Sequence, residues 1–485
     1  MTGKFIRFFT PFVRVMPEIK APQREVSFKE KLLWTVVALV IYLIMSNIPL
    51  YGVNVTETTD YYYWLRVILA SQRGTLTELG IGPIVTAGLI MQLLLGSKII
   101  KVDLSDPYDR SMFSGSQKVF AMFLTIFNII AYIGGGAFGE LTATNATFVF
   151  LQLVLSGLVI ILLDELLQKG WGIGSGVSLF IATGVAGQIF WSLFSFIGAD
   201  GVARGIVVAF FQALGDPEYD VGDLMFRSDR LPSLFGGITT LVIFLIVIWF
   251  ESTRVEIPLA YKGYRGFKGK YPMKLLYVSN IPVILVNALY ANFLFFGQML
   301  AGPNSALRGQ GFDFLIDLIG RFDTVDPGGA AGNYLVPNYG LLYFLTPPQG
   351  LLGPQGLLAD PIRAIIYLIF FIFLCVMLGR VWVDVSGLAP RDIAQQIIDS
   401  GMQIPGFRSS DKIIEKILKR YIPTLVILNG IIIAVMSFFA DSLGALTSGT
   451  GLLIAIGIVH QYSESLAKEM AAMQYPGMRS FLGMD

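Results

Sequence analysis

The chain has 485 residues, of which 54% are hydrophobic and 14% are charged, and its formal net charge at pH 7 is +1. Soluble domains usually carry about 25% charged residues, so this composition excludes an ordinary water-soluble protein and indicates a chain that lies in lipid. The single cysteine, Cys375, excludes a disulfide or a cysteine metal site built within this chain.

Ten apolar runs follow one another along the chain, each near the roughly 20 residues that a helix needs to cross a bilayer. They lie at about 32–51, 82–97, 119–138, 147–167, 173–197, 236–253, 275–300, 361–383, 422–440 and 443–463. These runs predict an all-α membrane protein with about ten transmembrane helices. Five runs lie in 1–235 and five in 236–485, and an odd number in each half means that any structural repeat between the halves is inverted.

Lys and Arg are concentrated in alternate connections between the runs. They are frequent at the N-terminus and in 98–118, 262–274 and 391–420, whereas 139–146 has none and 301–360 has only Arg308 and Arg321. The positive-inside rule therefore predicts that the basic connections and both termini are cytoplasmic. The N-terminal basic segment is too long and too charged for a cleavable signal peptide.

Two connections differ from simple loops. Residues 56–80 are too polar to span a membrane, yet Leu65, Ile68 and Leu69 have helical spacing. This pattern is typical of a short amphipathic helix, either interfacial with an aromatic belt or re-entrant into the protein from outside. The external segment 301–360 is rich in Gly and Pro and is predicted to be a mostly irregular loop.

Ionisable residues are nearly absent from the middle of the predicted spans, although a coupled transporter normally needs them there. The lone His460, with Glu464 one turn later, indicates either a packed polar pair or a proton relay. The sequence has no HExxH motif and no pair of midspan aspartates. We therefore expect neither an enzyme nor a bound cofactor or metal.

Backbone breakers interrupt several of the apolar runs instead. They occur at 80–83 (GIGP), 170–176 (GWGIGSG), 280–282 (NIP) and 449–451 (GTG), each beside aliphatic residues. At membrane depth such breaks are tolerated where the segment faces protein or a cavity. Ordinary helix packing explains any one of them, so by themselves the aliphatic residues indicate a core.

Several stretches resemble SecY, the central pore subunit of the Sec protein-conducting channel, in its archaeal and eukaryotic branch. They are TELGIGPIVTAGLIMQLL at 77–94, ILLDELLQKGWGIGSGVSLFIA at 161–182, YPMKLLYVSNIPVIL at 271–285, GLAPRDIAQQI at 387–397, GFR at 406–408 and GALTSGTGLL at 444–453. The resemblance implies two inverted five-helix halves, a re-entrant plug helix at about 63–73, and cytoplasmic loops at 259–274 and 384–421.

The resemblance also implies the roles of individual residues. A hydrophobic ring that can gate ions by dewetting falls on Ile81, Val85, Val177, Ile181, Ile284 and Ile454. The plug, whose presence favours the re-entrant interpretation, falls on Tyr63, Trp64, Leu65, Arg66, Ile68, Leu69 and Arg73. A lateral gate between spans two and three on one side and seven and eight on the other falls on Thr86, Asn128 and Asn292; ordinary interhelical bonding is the alternative for these three.

Partners are implied in the same way. Ribosome docking falls on Lys262, Arg265, Lys268, Lys270 and Arg408, where positive-inside topology alone also explains the charge. The resemblance implies a SecE-like subunit, a small beta-type or SecG-like subunit, signal sequences, nascent polypeptides and membrane lipid as further partners. The implied function is a passive, gated conduit for secretory polypeptides in the cell membrane, with lateral release of transmembrane segments. An inverted-repeat secondary transporter of small solutes and a nontransporting scaffold are the rival hypotheses.

Overall fold

The computed structural model describes residues 4–24, 26–53, 66, 70–97, 99–100, 102, 106–139, 141–196, 203–215, 222–227, 231–261, 268–301, 313–325, 334–348, 350–351, 356–399, 402–403 and 411–474. Within these ranges the helices are α1 (Lys4–Val15), α2 (Phe28–Asn47), α3 (Gly82–Gly96), α4 (Pro107–Gly134), α5 (Ala143–Leu166), α6 (Gly176–Phe194), α7 (Ile206–Gly215), α8 (Leu234–Ser252), α9 (Ile281–Ala301), α10 (Asp313–Ile319), α11 (Leu341–Leu345), α12 (Pro361–Val385), α13 (Pro390–Asp399), α14 (Asp411–Ser442) and α15 (Gly449–Gln474).

Each of the ten predicted spans lies on one helix, namely α2 to α6, α8, α9, α12, α14 and α15. Seven described helices (α4, α5, α6, α8, α9, α12 and α14) are individually long and apolar enough to cross a membrane, and α3 is a shorter apolar helix. The chain is therefore a mostly helical, multi-pass membrane protein.

Three helices extend well beyond the apolar runs that predicted them. The run at 119–138 lies in α4, which begins at Pro107, the run at 422–440 lies in α14, which begins at Asp411, and the run at 443–463 lies in α15, which ends at Gln474. Asp106 caps α4 by accepting a hydrogen bond from the Tyr108 amide at 3.2 Å. Hydropathy detects only the part of a helix that lies in lipid, whereas helical hydrogen bonding continues into water.

The cytoplasmic loop predicted at 259–274 contains a β-hairpin. Strand β1 (Arg254–Tyr261) pairs antiparallel with β2 (Lys268–Lys274) on one edge and with β5 (Met402–Gln403) on the other. The hairpin and helices α13 and α14 share an apolar core, separate from that of the main helix bundle, which includes Ile257, Met273, Ile393 and Leu418. The two predicted basic loops therefore form one packed unit.

The segment 301–360, which is predicted to be external, is more regular in its described part than its composition predicted. Its described part contains α10, α11 and an antiparallel hairpin of β3 (Arg321–Val325) and β4 (Tyr334–Tyr339). Leu342 of α11 packs so closely on Gly297 of α9 that a Cβ atom there would lie 2.0 Å from its side chain. Arg363 of α12 donates a hydrogen bond to the Tyr343 carbonyl at 3.0 Å. Contacts with α9 and α12 therefore hold the described part of this segment in place.

At the predicted cytoplasmic side, ion pairs hold the N-terminal segment across α4 and α5. Glu165 pairs with Lys118 at 2.6 Å and with Lys169 at 2.9 Å. Lys169 also pairs with Glu18, and this hydrogen bond lowers the pKa of the Glu18 carboxyl below its ordinary value. The Trp171 indole donates to the Lys20 carbonyl at 2.8 Å.

Candidate pore and lateral gate

The six residues of the predicted ring lie in or against the main apolar core that the helices of the bundle share. Ile81, Ile181 and Ile454 are completely buried, and the other three members, Val85, Val177 and Ile284, are half-buried. These residues come from α6, α9, α15 and the beginning of α3. The structure thus brings all six into one cluster, and their role as a pore constriction stays a prediction.

The break before α3 positions the first ring residue. Gly80 has φ +52°, a conformation that glycine adopts without steric cost. Pro83 then occupies the first turn of α3, where its fixed φ favours helix initiation. Ile81 is the N-cap residue, and its carbonyl accepts hydrogen bonds from the amides of Ile84 and Val85, both at 3.0 Å.

The break before α6 is held by a buried carboxylate that sequence reasoning did not single out. A π-helical turn, Leu167–Trp171, follows α5. Asp164 of α5 accepts a hydrogen bond from the Val177 amide at 2.9 Å. A Cβ atom on Gly176 would lie 2.6 Å from the Asp164 Cα, so this close approach requires glycine. An acidic residue that precedes a glycine-rich helix start is the signal that could have identified Asp164.

The breaks at α9 and α15 are joined directly. Asn280, the residue before α9, donates its side-chain amide to the Leu453 carbonyl at 3.0 Å. A Cβ atom on Gly457 would lie 1.8 Å from Asn280 Nδ2, so only glycine leaves room for this amide. The bond fixes the start of α9 beside Ile454 of α15.

Two of the three predicted gate residues meet across α3 and α9. The Asn292 side-chain amide donates to the Thr86 hydroxyl at 3.0 Å and to the Ala288 carbonyl of its own helix at 2.6 Å. Asn128 is half-buried on α4 and makes no hydrogen bond to either residue in the described part of the chain. The structure therefore supports a polar contact at the seam between two of the residues and leaves Asn128 outside it.

Aromatic residues that the sequence did not indicate also join α4 to α9 in the predicted lateral gate. Tyr132 of α4 stacks on Phe295 of α9 with ring centroids 5.6 Å apart, and Phe127 lies 6.2 Å from Phe296. No pattern in a single sequence pairs residues that are more than 160 positions apart. The contacts between α9 and the helices α3 and α4 therefore include two aromatic pairs and one polar contact, between Thr86 and Asn292.

Part of the predicted plug lies within the described residues. Arg66 pairs with Glu78 at 3.0 Å, and the two side chains are only 12% and 4% exposed. Arg66 also donates to the Ser71 hydroxyl at 3.2 Å, and Arg73 is half-buried. The remaining predicted plug residues, Tyr63, Trp64, Leu65, Ile68 and Leu69, lie outside the described residues.

The predicted docking residues are only partly described. Lys268 and Lys270 lie on β2, and Lys270 forms an exposed ion pair with Glu256 of β1. Lys262, Arg265 and Arg408 lie outside the described residues. Within the described residues, Lys268 and Lys270 therefore belong to a folded unit, and the docking role stays a prediction.

Comparison with known proteins identifies relatives along nearly the whole chain. A family model described as SecY matches residues 75–463, and a model described as the plug domain of Sec61p matches residues 40–74. A solved protein-conducting channel is 39% identical, with a TM-score of 0.77, over 96% of this chain and 98% of its own.

Two further structures are similar over the same 96% of this chain and 98% of their own. One comes from a study of how the SecY plug domain stabilises the closed channel, with 38% identity and a TM-score of 0.76. The other is canine Sec61 in a ribosome–channel complex from the endoplasmic reticulum, with 37% identity and a TM-score of 0.75. This chain belongs to the SecY family of protein-conducting channels.

Proposed function

We propose that this chain is the passive, gated pore of a protein-conducting channel. It moves secretory polypeptides across the membrane and releases transmembrane segments sideways into lipid. The observation that carries the proposal is the placement of six aliphatic residues, at or near helix starts, in one apolar cluster. A constriction of this kind excludes ions by dewetting, while its flexible side chains fit around a passing polypeptide of any sequence.

The polar groups near the helix breaks argue against a secondary transporter. In a transporter of this architecture, broken helices direct free polar groups toward a midplane substrate. Here the Asp164 carboxylate accepts the Val177 amide at 2.9 Å, and the Asn280 amide donates to the Leu453 carbonyl at 3.0 Å. Both groups are engaged with backbone, so they hold the helix starts in place.

The seam between α3 and α9 supports lateral opening. Interhelical hydrogen bonds in membranes contribute on the order of 1 kcal/mol, and Asn292 and Thr86 share one such bond. The aromatic pairs that α4 makes with α9 expose apolar surface when they separate, and lipid or an apolar signal sequence covers that surface at little cost. The contacts of α3 and α4 with α9 therefore keep the gate closed at rest, and only a modest free energy is needed to separate them.

The energy for transport comes from a partner, and the chain itself catalyses no reaction. One relative is a Sec61 channel in a complex with a ribosome, and the β1–β2 hairpin with α13 and α14 offers a basic platform of the kind that binds RNA phosphates. We assign docking to Lys262, Arg265, Lys268, Lys270 and Arg408, together with a SecE-like subunit and a second small subunit as partners. Both termini are cytoplasmic, and 1–235 and 236–485 form the two inverted halves in the cell membrane.

A photoreactive amino acid at position 81 tests the polypeptide path. Membranes that carry the variant receive ribosomes stalled on a secretory nascent chain, and we expect adducts between residue 81 and that chain. Leu245 on α8 is 59% exposed and serves as the matched control, since it faces away from the core and should give lipid adducts only. Lipid adducts at position 245 together with no nascent-chain adducts at position 81, with ribosomes still bound, would contradict the proposal.

A further inference from the structure

The base of the β1–β2 hairpin carries two like charges directly opposite each other. Arg254 of β1 and Lys274 of β2 are cross-strand partners, and like charges in this position destabilise an antiparallel pair. Glu464 of α15 accepts the Arg254 guanidinium on Oε1 at 2.7 Å and the Lys274 ammonium on Oε2 at 2.7 Å. One carboxylate from α15 thus pairs with both strands of the hairpin and offsets part of the repulsion between their charges.

The same carboxylate lies on the helix that carries a ring residue. Ile454 precedes Glu464 on α15 by about 15 Å along the helix, at a rise of 1.5 Å per residue. Between β2 and α9, the Asn280 side-chain amide donates to the Leu453 carbonyl of α15 at 3.0 Å, beside Ile454. The segment from the base of the hairpin to α9 is therefore attached to α15 at two heights, at Glu464 and at Leu453.

Other polar groups surround the contact without replacing it. His460 Nε2 lies 3.4 Å from Glu464 Oε1, the pairing that the sequence indicated for these two residues. Glu251 of α8 is 2% exposed, and its Oε1 lies 3.5 Å from the Ser279 hydroxyl. Among these groups only Glu464 contacts cationic side chains from both hairpin strands in the described part of the chain.

We propose that Glu464 is a positioning residue that fixes the base of the hairpin to α15, so that a partner which displaces the hairpin also displaces the helices that carry Ile284 and Ile454. This inference rests on the proposed docking function, which it deepens. The far end of β1 pairs with β5 through Ala260 and Tyr261, and the base of the hairpin is joined to α15 at Glu464. Ribosome docking and pore opening are then separate steps, and Glu464 acts in pore opening.

The test compares Glu464→Gln with Glu30→Gln in the full channel complex. Glu30 is the control because its ion pair, with Arg24 at 3.0 Å, lies at the start of α2 and outside the hairpin, α13 and α14. Ribosome binding is measured by cosedimentation, and opening by the yield of nascent-chain adducts from a photoreactive residue at position 81. For Glu464→Gln we expect ribosome binding within about twofold of wild type and an adduct yield about fivefold lower, the scale of losing two part-exposed ion pairs. Glu30→Gln should leave both unchanged.

A double-variant cycle separates positioning from a loss of folding. Lys274→Gln should lower the adduct yield in the same direction, and the variant with both changes should be no worse than Glu464→Gln alone, because the contact is lost only once. Additive losses, a wild-type adduct yield in Glu464→Gln, or equal losses of binding and adducts would each overturn the inference. A wild-type channel that binds ribosomes and gives no adduct at 81 would instead overturn the proposed function, and the inference with it.

Discussion

Replacing Gly457 by alanine tests the contact that joins the starts of α9 and α15. The new Cβ atom would lie 1.8 Å from Asn280 Nδ2 and 3.2 Å from Glu251 Oε1. The Asn280 amide must rotate away, and the Leu453 carbonyl then loses its hydrogen bond of 3.0 Å. The substitution therefore acts at the backbone break beside Ile454 and changes no ring residue.

The expected cost follows from three contributions. Overpacking a filled site costs about 1–3 kcal/mol, and leaving buried polar groups unpaired costs about 1–3 kcal/mol more. Alanine in a helix interior recovers about 1 kcal/mol of conformational entropy relative to glycine. The net expectation is a loss of about 1–5 kcal/mol in the free energy of unfolding, together with a raised ion leak as α9 and α15 separate.

Thermal unfolding in detergent and conductance in planar bilayers measure the two effects. Gly187→Ala on α6 is the control, because no atom lies within 4 Å of its Cβ position, and it should be as stable as wild type or more so. In an Asn280→Ala background the 1.8 Å clash is gone and only the 3.2 Å approach to Glu251 Oε1 remains, so Gly457→Ala should cost less there than in the wild-type background. A Gly457→Ala channel as stable and as tight as Gly187→Ala would refute the reasoning.

Three further outcomes are expected. Ile284→Gln combined with Ile454→Gln should raise ion conductance through the resting channel in planar bilayers because a polar constriction no longer dewets, and unchanged conductance would remove the ring assignment. Arg408→Glu should weaken ribosome cosedimentation most at low salt, where charges are least screened; equal binding at every salt concentration would leave this residue with a role in topology only. Glu78→Gln should cost about 3–5 kcal/mol because it leaves Arg66 as a buried charge without its carboxylate, and resting conductance should rise; a variant that remains sealed would show that this pair does not hold the plug.

The order of the transmembrane helices could be predicted from the sequence because a span is a local property. About 20 consecutive apolar residues are needed to cross the bilayer, and every such run corresponds to a helix in the structure. The breaks at Gly80 and Asn280 were also visible, since Gly and Pro act on the backbone at their own positions. Helix ends in water, such as the start of α4, were not visible to hydropathy.

The partners of the polar groups could not be predicted, because each pairing depends on how distant helices pack. Asn280 meets the Leu453 carbonyl, and Glu464 meets Arg254 and Lys274, across separations of more than 170 residues. Local patterns determined that this protein has ten apolar runs long enough to span a membrane, with breaks beside aliphatic residues. Only the tertiary structure decided that those aliphatic residues share one cluster and that a single carboxylate pairs with both strands of the hairpin, because a polar group bonds to whichever neighbour the packing brings within about 3 Å.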